Sequence, residues 1–309
     1  MFDSKYPILA ACMNGGSDLG LAIACRKAGI FPSICFPRNG ERKDGESTTP
    51  FIDHQLTSYG SNQINVGVMS LHNCSNKLFI DVLLKHKISH LEIWAEVSVE
   101  SGRYKKIGEE KSMELAIRNI NKLKDNGTKI LKRTKGIVNF KSPVMPLIDA
   151  LCVKGSDAPG FSNESITTKE LFKRIKNKAP STIKTVIPYG GIGMSSQVKE
   201  YMELGAEYVA IGTVFAASKE SCLSLELKRT MIQANSLCVE RLPDTNQNTF
   251  ILGDREGVYN SLGRNRQDSL EDGLYGDGKT GHMYAGTSLN YVTEIRSVKD
   301  IVEELVKDL

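Results

Sequence analysis

The sequence lacks any long hydrophobic run, and this absence argues against a helix that spans a membrane. No apolar stretch approaches the ~20 residues that a membrane helix needs. The opening residues, MFDSKYPILAACMNGG, contain no basic segment followed by a long apolar one, so we expect no signal peptide. With 40% hydrophobic and 25% charged residues in a chain of 309, the composition is that of a soluble globular protein. The expected location is the cytoplasm, and no membrane partner is expected.

Paired metal-binding and disulfide motifs are also missing. The seven cysteines form no CxxC pair and are scattered through apolar segments, and the five histidines form no HxH or HExxH pattern. This cysteine usage is typical of free thiols in a reducing compartment rather than of a disulfide framework. We also predict that the protein has no metal site.

Strong charge of one sign is absent overall, although the charge is uneven. The net charge is +4, yet residues 103–141 contain twelve Lys or Arg and four Asp or Glu. Solvated helix faces are the ordinary explanation, and attraction of an anionic ligand or cofactor is the functional alternative. The sequence has no recognisable nucleic-acid module and no aromatic residues interleaved with the basic ones, so we expect no DNA or RNA partner.

Short apolar runs alternate with amphipathic helical patterns through most of the chain. Eight runs are predicted strands: 7–13, 31–36, 64–69, 90–97, 128–133, 150–155, 185–190 and 208–215. Parallel neighbours need a crossover connection, and a helix supplies it. Eight such units predict an α/β fold, a (β/α)8 TIM barrel, with an open doubly wound sheet as the main alternative.

Several helix ends can be predicted from local signals. Ser17 and Asp18 can cap a helix that closes at Gly29, and Thr167 has capping-box spacing to Glu170. Ser297 and Asp300 likewise fit the start of a C-terminal helix. Two further helices show apolar stripes at helical spacing, over 113–123 before Asn126-Gly127 and over 198–202 before Gly205.

The alternation breaks near the C-terminus. Residues 233–280 are mostly polar and rich in glycine. A loop of that length within a domain is usually functional or mobile. We therefore expect residues 1–232 and 281–309 to form the barrel, and 233–280 to form an irregular insertion or lid.

Two glycine turns follow the seventh and eighth predicted strands. VIPYGGIG (186–193) has no Lys-Ser or Lys-Thr after its glycines, so it is not a P-loop. Gly190 and Gly191 allow close approach of backbone N–H groups to a phosphate, and a helix predicted from Ser195 points its positive end there. The next strand ends in IGT, where Gly212 and Thr213 add a second turn and a hydroxyl. Phosphate sites of TIM barrels favour these two loops, so the pair predicts a bipartite phosphate cradle.

The segment TVIPYGGIGMSSQVKEYMELGAEYVAIGTVFAASKES resembles the signature of the nitronate monooxygenase (2-nitropropane dioxygenase) family of FMN-dependent TIM barrels. YPILAACMNGGSDLGLAIACRKAG is similar to the family's first strand and helix, where an Ala-Pro-Met turn approaches the flavin; Ala11 and Met13 match that turn. GTKILKRT is similar to its fifth strand, which delivers a basic residue toward the flavin. HMYAGTSLNYVTEI is similar to its C-terminal segment. The resemblance covers most of 6–220 and 282–309, and it implies bound FMN.

The resemblance also implies departures at the substrate site. In the sixth-strand turn KGSDAPGFS, Gly155, Asp157 and Gly160 keep the family's places, but Phe161 stands where the family has a His. An imidazole can accept a proton at neutral pH because its ordinary pKa is ~6.5, and a phenyl ring cannot. Gly67 stands in place of a flavin-contacting Asn.

A further departure is Val214, which stands in place of the family's Arg. By the resemblance, the cofactor site comprises Ala11, Met13, Gly67, Lys132, Arg133, Gly155, Gly160, Gly190, Gly191, Gly212 and Thr213.

Other polar groups could supply chemistry. Alternation along HLEIWAEV puts Glu92, Trp94 and Glu96 on one face of a strand, and Glu96 is an acid–base candidate. Asp157 is the other catalytic candidate. Lys132 and Arg133 alternate, so one of them is expected to point into the barrel; the resemblance favours Arg133, and a one-residue slip would favour Lys132.

The leading hypothesis is an FMN-dependent oxidoreductase with an altered substrate site, acting on a small molecule. NAD(P)H is one candidate electron donor and O₂ one acceptor. The alternatives are an FMN-dependent NAD(P)H enoyl reductase-like enzyme, a flavin-binding protein without catalysis, and a colourless sugar-phosphate binder. A homodimer is left open.

Overall fold

Eight parallel strands form a closed ring in the computed structural model. The model describes residues 1–35, 48–95, 108–136, 138–163, 165–242, 247–252, 270, 273–276 and 281–309. The ring strands are β1 (Ile8–Ala10), β2 (Ser33–Cys35), β3 (Asn65–Ser70), β4 (His90–Ala95), β5 (Lys129–Thr134), β6 (Ala150–Val153), β8 (Thr185–Pro188) and β9 (Val209–Ile211). β2, β3, β4, β5, β6 and β8 form one parallel sheet, and β1 pairs with β9. Parallel bridges from Leu9 to Phe31 and from Tyr189 to Ala210 close the ring. The predicted (β/α)8 barrel is confirmed.

Helices connect the strands and surround the ring. They are α1 (Leu19–Lys27), α2 (Thr48–Tyr59), α3 (Lys77–Lys85), α4 (Gly108–Asp125), α5 (Thr168–Lys176), α6 (Ser195–Glu203), α7 (Thr213–Ala216), α8 (Leu225–Gln233) and α9 (Val298–Val306). Short 3-10 segments cover Leu71–Ser75, Met145–Leu147, Ser236–Cys238 and Thr287–Tyr291. Among the described helices, none combines the length and apolar character required to cross a membrane.

The predicted helix caps are present. The side chain of Asp18 accepts a hydrogen bond from the Leu21 N–H at the start of α1. Thr167 caps α5 in the same way, and Ser297 caps α9. These short side chains satisfy N–H groups that have no partner within the helix. Gly29, after α1, has φ +85°, a left-handed conformation that glycine adopts without a Cβ clash.

The eighth ring strand is shorter than the sequence suggested. The prediction of a strand over 208–215 is wrong beyond Ile211, because Thr213–Ala216 forms the single turn of α7. All four residues of α7 are buried. A buried helical turn and a buried strand both give a continuous apolar run, which periodicity cannot separate.

The segment 233–280 is also more regular than predicted where the structure describes it. β10 (Val239–Leu242), β11 (Gln247–Ile251) and β12 (His282–Met283) form an antiparallel sheet. The two-residue β7 (Gly160–Phe161) joins its edge by pairing with β11. The predicted insertion therefore contains paired strands at 239–242 and 247–251.

Two layers of apolar side chains form the core. One fills the inside of the ring and includes Leu9, Ala11, Phe31, Leu131, Ala150, Cys152, Ile187, Tyr189 and Ala210. The other lies between the ring and the helices. Phe2 closes the amino end of the ring, where its side chain stacks on His90 with ring centroids 4.5 Å apart. The opposite end, at the carboxyl ends of the strands, is called the barrel mouth below.

Candidate functional site

The glycine turn after β8 lies at the barrel mouth. Gly190 has φ +104° and Gly191 has φ +74°, both in the region that favours glycine. A Cβ on Gly190 would lie 2.5 Å from the Ala158 Cβ, so the turn packs closely on the turn after β6. The Gly190 N–H donates to the Ala210 carbonyl, whereas the Gly191 N–H has no acceptor within the described chain. Helix α6 begins four residues later.

The turn after β9 meets the first strand. A Cβ on Gly212 would lie 3.2 Å from the Ala11 Cβ and 3.2 Å from the Met13 Sδ. The Ala11 N–H donates to the Ile211 carbonyl at 2.8 Å, which holds the ends of β1 and β9 together. Thr213 is buried at the start of α7. Four residues that the resemblance assigned to the cofactor therefore lie side by side at the barrel mouth: Ala11, Met13, Gly212 and Thr213.

The carboxylate of Asp157 is held by hydrogen bonds from neighbouring groups. Its carboxylate accepts hydrogen bonds from the Thr168 N–H at 2.8 Å and from the Thr168 hydroxyl at 2.5 Å. The same hydroxyl accepts from the Gly155 N–H at 3.0 Å. The Asp157 side chain also packs against Gly191. Asp157 thus links the turn after β6, the start of α5 and the glycine turn after β8.

Phe161 follows that turn and is only half-buried. Its side chain is 47% exposed, and the Lys135 Nζ lies 5.6 Å from the ring centroid. Its neighbour Gly160, at φ +64°, faces the Tyr284 ring. Both residues pair with β11, so residues of 233–280 lie directly beside the position where the family resemblance expects a His.

A buried ion pair occupies the inside of the barrel. The Arg133 Nε donates to the Glu92 carboxylate, and Arg133 also donates to the Cys12 carbonyl at 2.6 Å and to the Tyr189 hydroxyl. Its guanidinium lies 4.0 Å from the Trp94 ring centroid and 4.4 Å from that of Tyr189. Such stacking suits a planar, weakly hydrated cation.

The ion pair keeps Arg133 charged. Burial alone would lower the pKa of Arg133, but Glu92 and then Tyr189 raise the pKa above its usual value. Asn65 supplies a further hydrogen bond to Glu92, with 2.7 Å between Nδ2 and Oε2. Glu92 is fully buried and Arg133 is 9% exposed. A buried pair with these additional hydrogen bonds is the arrangement that can offset the loss of hydration.

Strand alternation separates the two basic residues of β5. Arg133 and Leu131 point into the ring, so Lys132 lies on the outer face. Burial lowers the pKa of Lys132 to about 8. Of the two alternatives, the inward residue is Arg133. On β3, Gly67 also faces inward and packs on Cys12, whose Sγ would be 2.7 Å from a Cβ on Gly67.

Two interior polar residues were missed by the sequence analysis. Tyr189 is 2% exposed, and its hydroxyl contacts Arg133 and the Cys12 carbonyl. Lys154 is 6% exposed, and its Nζ donates to the Pro159 carbonyl at 2.5 Å. The available signal was a polar residue at the end of an apolar strand run, as in ALCVKG and VIPYGG. Glu96, the acid–base candidate, lies outside the described residues.

The ring and its mouth define the protein as a (β/α)8 barrel, the class whose functional groups lie at the carboxyl ends of the strands. The model of the nitronate monooxygenase family matches residues 112–308, and the chain belongs to that family. It is an oxidoreductase, and the family acts on small molecules with flavin, typically FMN, as cofactor. No curated protein matches the chain.

Solved structures with the same fold can be aligned with nearly the whole chain. FabK from Thermotoga maritima is 20% identical with a TM-score of 0.75, covering 99% of this chain and 93% of that one. Nitroalkane oxidase from Streptomyces ansochromogenes is 15% identical with a TM-score of 0.70, covering 99% and 96%. The enoyl reductase domain of MlnA from Bacillus amyloliquefaciens is 13% identical with a TM-score of 0.71, covering 99% and 94%. At these identities the likeness shows the fold alone.

Proposed function

We propose that this protein is an FMN-dependent oxidoreductase whose substrate site differs from that of typical nitronate monooxygenases. The observation that carries the proposal is the pair of adjacent glycine turns after β8 and β9. Within the described residues, the N–H groups of Gly191, Gly212 and Thr213 have no protein acceptor. Backbone N–H groups at the start of a helix are suited to phosphate, so these turns fit the phosphate of FMN.

The remaining cofactor contacts are assigned by their position at the mouth. In this proposal Gly190, Gly191, Gly212 and Thr213 hold the phosphate, and the other groups lie nearer the flavin ring or support the turns around it. These others are Ala11, Met13, Gly67, Arg133, Gly155 and Gly160. Lys132 points to the outer face of β5 and is not among them. Bound FMN would supply hydride and electron transfer. Arg133 contributes a fixed positive charge inside the ring, since Glu92, Cys12 and Tyr189 hold its guanidinium in place.

Cofactor binding is tested by titrating the purified protein with FMN. We expect flavin absorbance near ~450 nm and weaker FMN binding for Gly191→Ala, because a side chain at φ +74° strains the turn. Gly60→Ala controls for the backbone strain alone: Gly60 has φ +67° and open space around it, whereas a Cβ on Gly191 would also lie 2.3 Å from the Asp157 Oδ2. FMN binding should not change in Gly60→Ala. A colourless protein that does not take up added FMN would overturn the proposal.

Phe161 separates the candidate reactions. Its phenyl ring cannot accept a proton, so we expect little or no oxygen uptake with alkyl nitronates or nitroalkanes. Bleaching of the flavin by NADH or NADPH without oxygen would instead support the enoyl reductase-like alternative, in which a nicotinamide is the donor. Failure of every donor and substrate, with FMN still bound, would support a flavin-binding protein without catalysis.

The role of position 161 is tested by Phe161→His, which restores a group with a pKa of ~6.5. We expect this variant to gain turnover of nitroalkanes, and Phe161→Leu to gain none. Because the side chain is 47% exposed, both variants are expected to fold. If Phe161→His shows no gain, the role assigned to this position is wrong.

A further inference from the structure

Lys154 lies inside the barrel at the mouth. It directly follows β6, and its N–H donates to the Thr134 carbonyl at 2.8 Å, which continues the pairing with β5. Cys152, two residues earlier, points into the interior, so alternation points Lys154 inward as well. Its side chain is 6% exposed, and the Nζ lies 5.9 Å from the Tyr189 ring centroid.

The ammonium group of Lys154 lacks an anionic partner within the described chain. Its one hydrogen bond there goes to the Pro159 carbonyl, a neutral acceptor. An ammonium has three donors, so two remain for another ligand. A buried charge without a counter-charge is costly, and this cost needs a physical explanation.

The interior carboxylate is already committed to another cation. Glu92 is bound by Arg133 and by Asn65. If Lys154 is protonated, the described interior therefore holds two cations and one carboxylate. Burial and then repulsion by Arg133 hold the pKa of Lys154 well below its usual range. An anion at the mouth would remove this imbalance.

A second buried lysine shows how the chain provides counter-charge elsewhere. Lys228 on α8 is 5% exposed and donates to the Ser221 carbonyl at 2.7 Å. Burial lowers the pKa of Lys228, and Cys222 and the carboxylates of Asp18 and Glu220 partly oppose this shift. Lys154 and Lys228 thus share burial and a single carbonyl acceptor. The charges of Asp18 and Glu220 act on Lys228, and within the described residues neither carboxylate forms an ion pair with another cation, whereas the Glu92 carboxylate belongs to the ion pair with Arg133.

We propose that Lys154 binds an oxyanion of the ligand that enters the barrel mouth. This inference deepens the proposed function and rests on it for the mouth as the reaction site. The oxyanion has two potential sources: a carboxylate-like group of the substrate, or the phosphate of FMN. In either case two N–H donors of Lys154 contact the anion, and the Pro159 carbonyl holds the third.

The substrate source is tested with acetate as the probe. Acetate is titrated into the full-length protein, with and without added FMN, at an ionic strength held constant with sodium chloride, and binding is followed by calorimetry. We expect saturable binding that Lys154→Met weakens by about tenfold to a hundredfold, the range for a lost charge-assisted hydrogen bond. Lys154→Arg should retain most of the binding, and Lys228→Met should bind acetate as the unmodified protein does.

The phosphate source is tested by comparing FMN with riboflavin. If Lys154 contacts the phosphate, Lys154→Met weakens FMN binding but leaves riboflavin binding unchanged. A selective loss in either titration supports the proposal and identifies the source. If Lys154→Met alters neither acetate binding nor the preference for FMN, the proposal is wrong. A protein that binds acetate through Lys154 but takes up no FMN would overturn the proposed function while supporting this inference.

Stability in acetate-free buffer gives a second measurement. Met is unbranched and apolar and can fill the same space. Lys154→Met is therefore expected to be at least as stable to urea as the unmodified protein, because it removes a buried amine whose desolvation has no unshared counter-charge within the described chain to offset it. Lys228→Met is expected to be less stable, since it removes the hydrogen bond to the Ser221 carbonyl and the attraction between Lys228 and the charges of Asp18 and Glu220. A clear loss of stability in Lys154→Met would show that the chain itself already compensates the charge.

Discussion

At the scale of single residues, the interior of this barrel differs from an ordinary apolar core. Glu92, Arg133 and Tyr189 are buried together, and Asn65 and the Cys12 carbonyl complete their hydrogen bonds. Low local polarity strengthens these bonds and also raises the cost of leaving any member unpaired. The pair therefore fixes the charge and the geometry beneath the mouth.

Removing the negative charge of this pair tests that view. Glu92→Gln leaves the Arg133 guanidinium buried without its counter-ion, and we expect a loss of about 3–5 kcal/mol in the free energy of unfolding. Urea denaturation measures the change. The control is Glu170→Gln, which removes an exposed ion pair with Arg174 and should cost less than ~1 kcal/mol. Equal losses in the two variants would contradict the importance of the buried pair.

At the scale of elements, the turn after β6 is fixed to its neighbours through Asp157. The carboxylate holds both donors of Thr168 at the start of α5, and the Asp157 carbonyl accepts from the Thr287 N–H at 3.0 Å. A carboxylate at the start of a helix also interacts favourably with the helix dipole. These contacts are those of a positioning residue.

Two substitutions of Asp157 distinguish positioning from acid–base catalysis. Asp157→Ala should lower the free energy of unfolding by about 1–3 kcal/mol, the cost of losing hydrogen bonds to a charged group. Asp157→Asn should lower the free energy of unfolding by less, because the amide oxygen still accepts a hydrogen bond. This variant should also keep most of the oxidoreductase activity. Asp81→Ala, which removes an exposed pair with Lys77, is the control for surface charge. If Asp157→Asn is stable but inactive, Asp157 is instead a catalytic residue.

At the scale of the whole molecule, the two ends of the barrel are built differently. The mouth carries the glycine turns and the polar interior, whereas the amino end is closed by aromatic contacts around Phe2, Phe31 and His90. His90 is 2% exposed, and burial lowers its pKa to about 3. The closed end therefore requires a neutral imidazole.

This requirement gives the protein a predicted pH dependence. The unfolded chain takes up a proton on His90 below pH ~6.5, while the folded chain keeps it neutral down to about pH 3. The contribution of a neutral His90 to stability is thus fully present above pH ~6.5 and is lost as the pH falls, by ~1.4 kcal/mol for each pH unit.

We expect His90→Leu to abolish this part of the loss. Between pH 7 and pH 5, the unmodified protein should lose about 2 kcal/mol more than His90→Leu in urea denaturation. His54→Leu, at an exposed position on α2, should behave as the unmodified protein does. If His90→Leu and the unmodified protein lose the same stability, the imidazole does not stay neutral in the folded state.

The sequence by itself determined the barrel, the order of its eight ring strands and several of its helices with their caps. Strand runs, helical stripes and capping residues such as Asp18, Thr167 and Ser297 act over a few neighbouring positions, so they can be predicted locally. The glycines at 190, 191 and 212 were predicted in the same way to follow the seventh and eighth strands of the barrel, which are β8 and β9 in the structure. Local patterns failed where two structures share one pattern, as in the buried turn of α7.

Only the tertiary structure decided which polar groups meet. Glu92 and Arg133 lie on β4 and β5, and Lys154 and Tyr189 directly follow β6 and β8. Closure of the ring brings all four into one interior. Strand register, rather than composition, turned Arg133 inward and Lys132 outward. The pairing of β7 with β11 placed part of 233–280 beside Phe161. These outcomes depend on contacts between residues far apart in the chain, which a local sequence pattern does not contain.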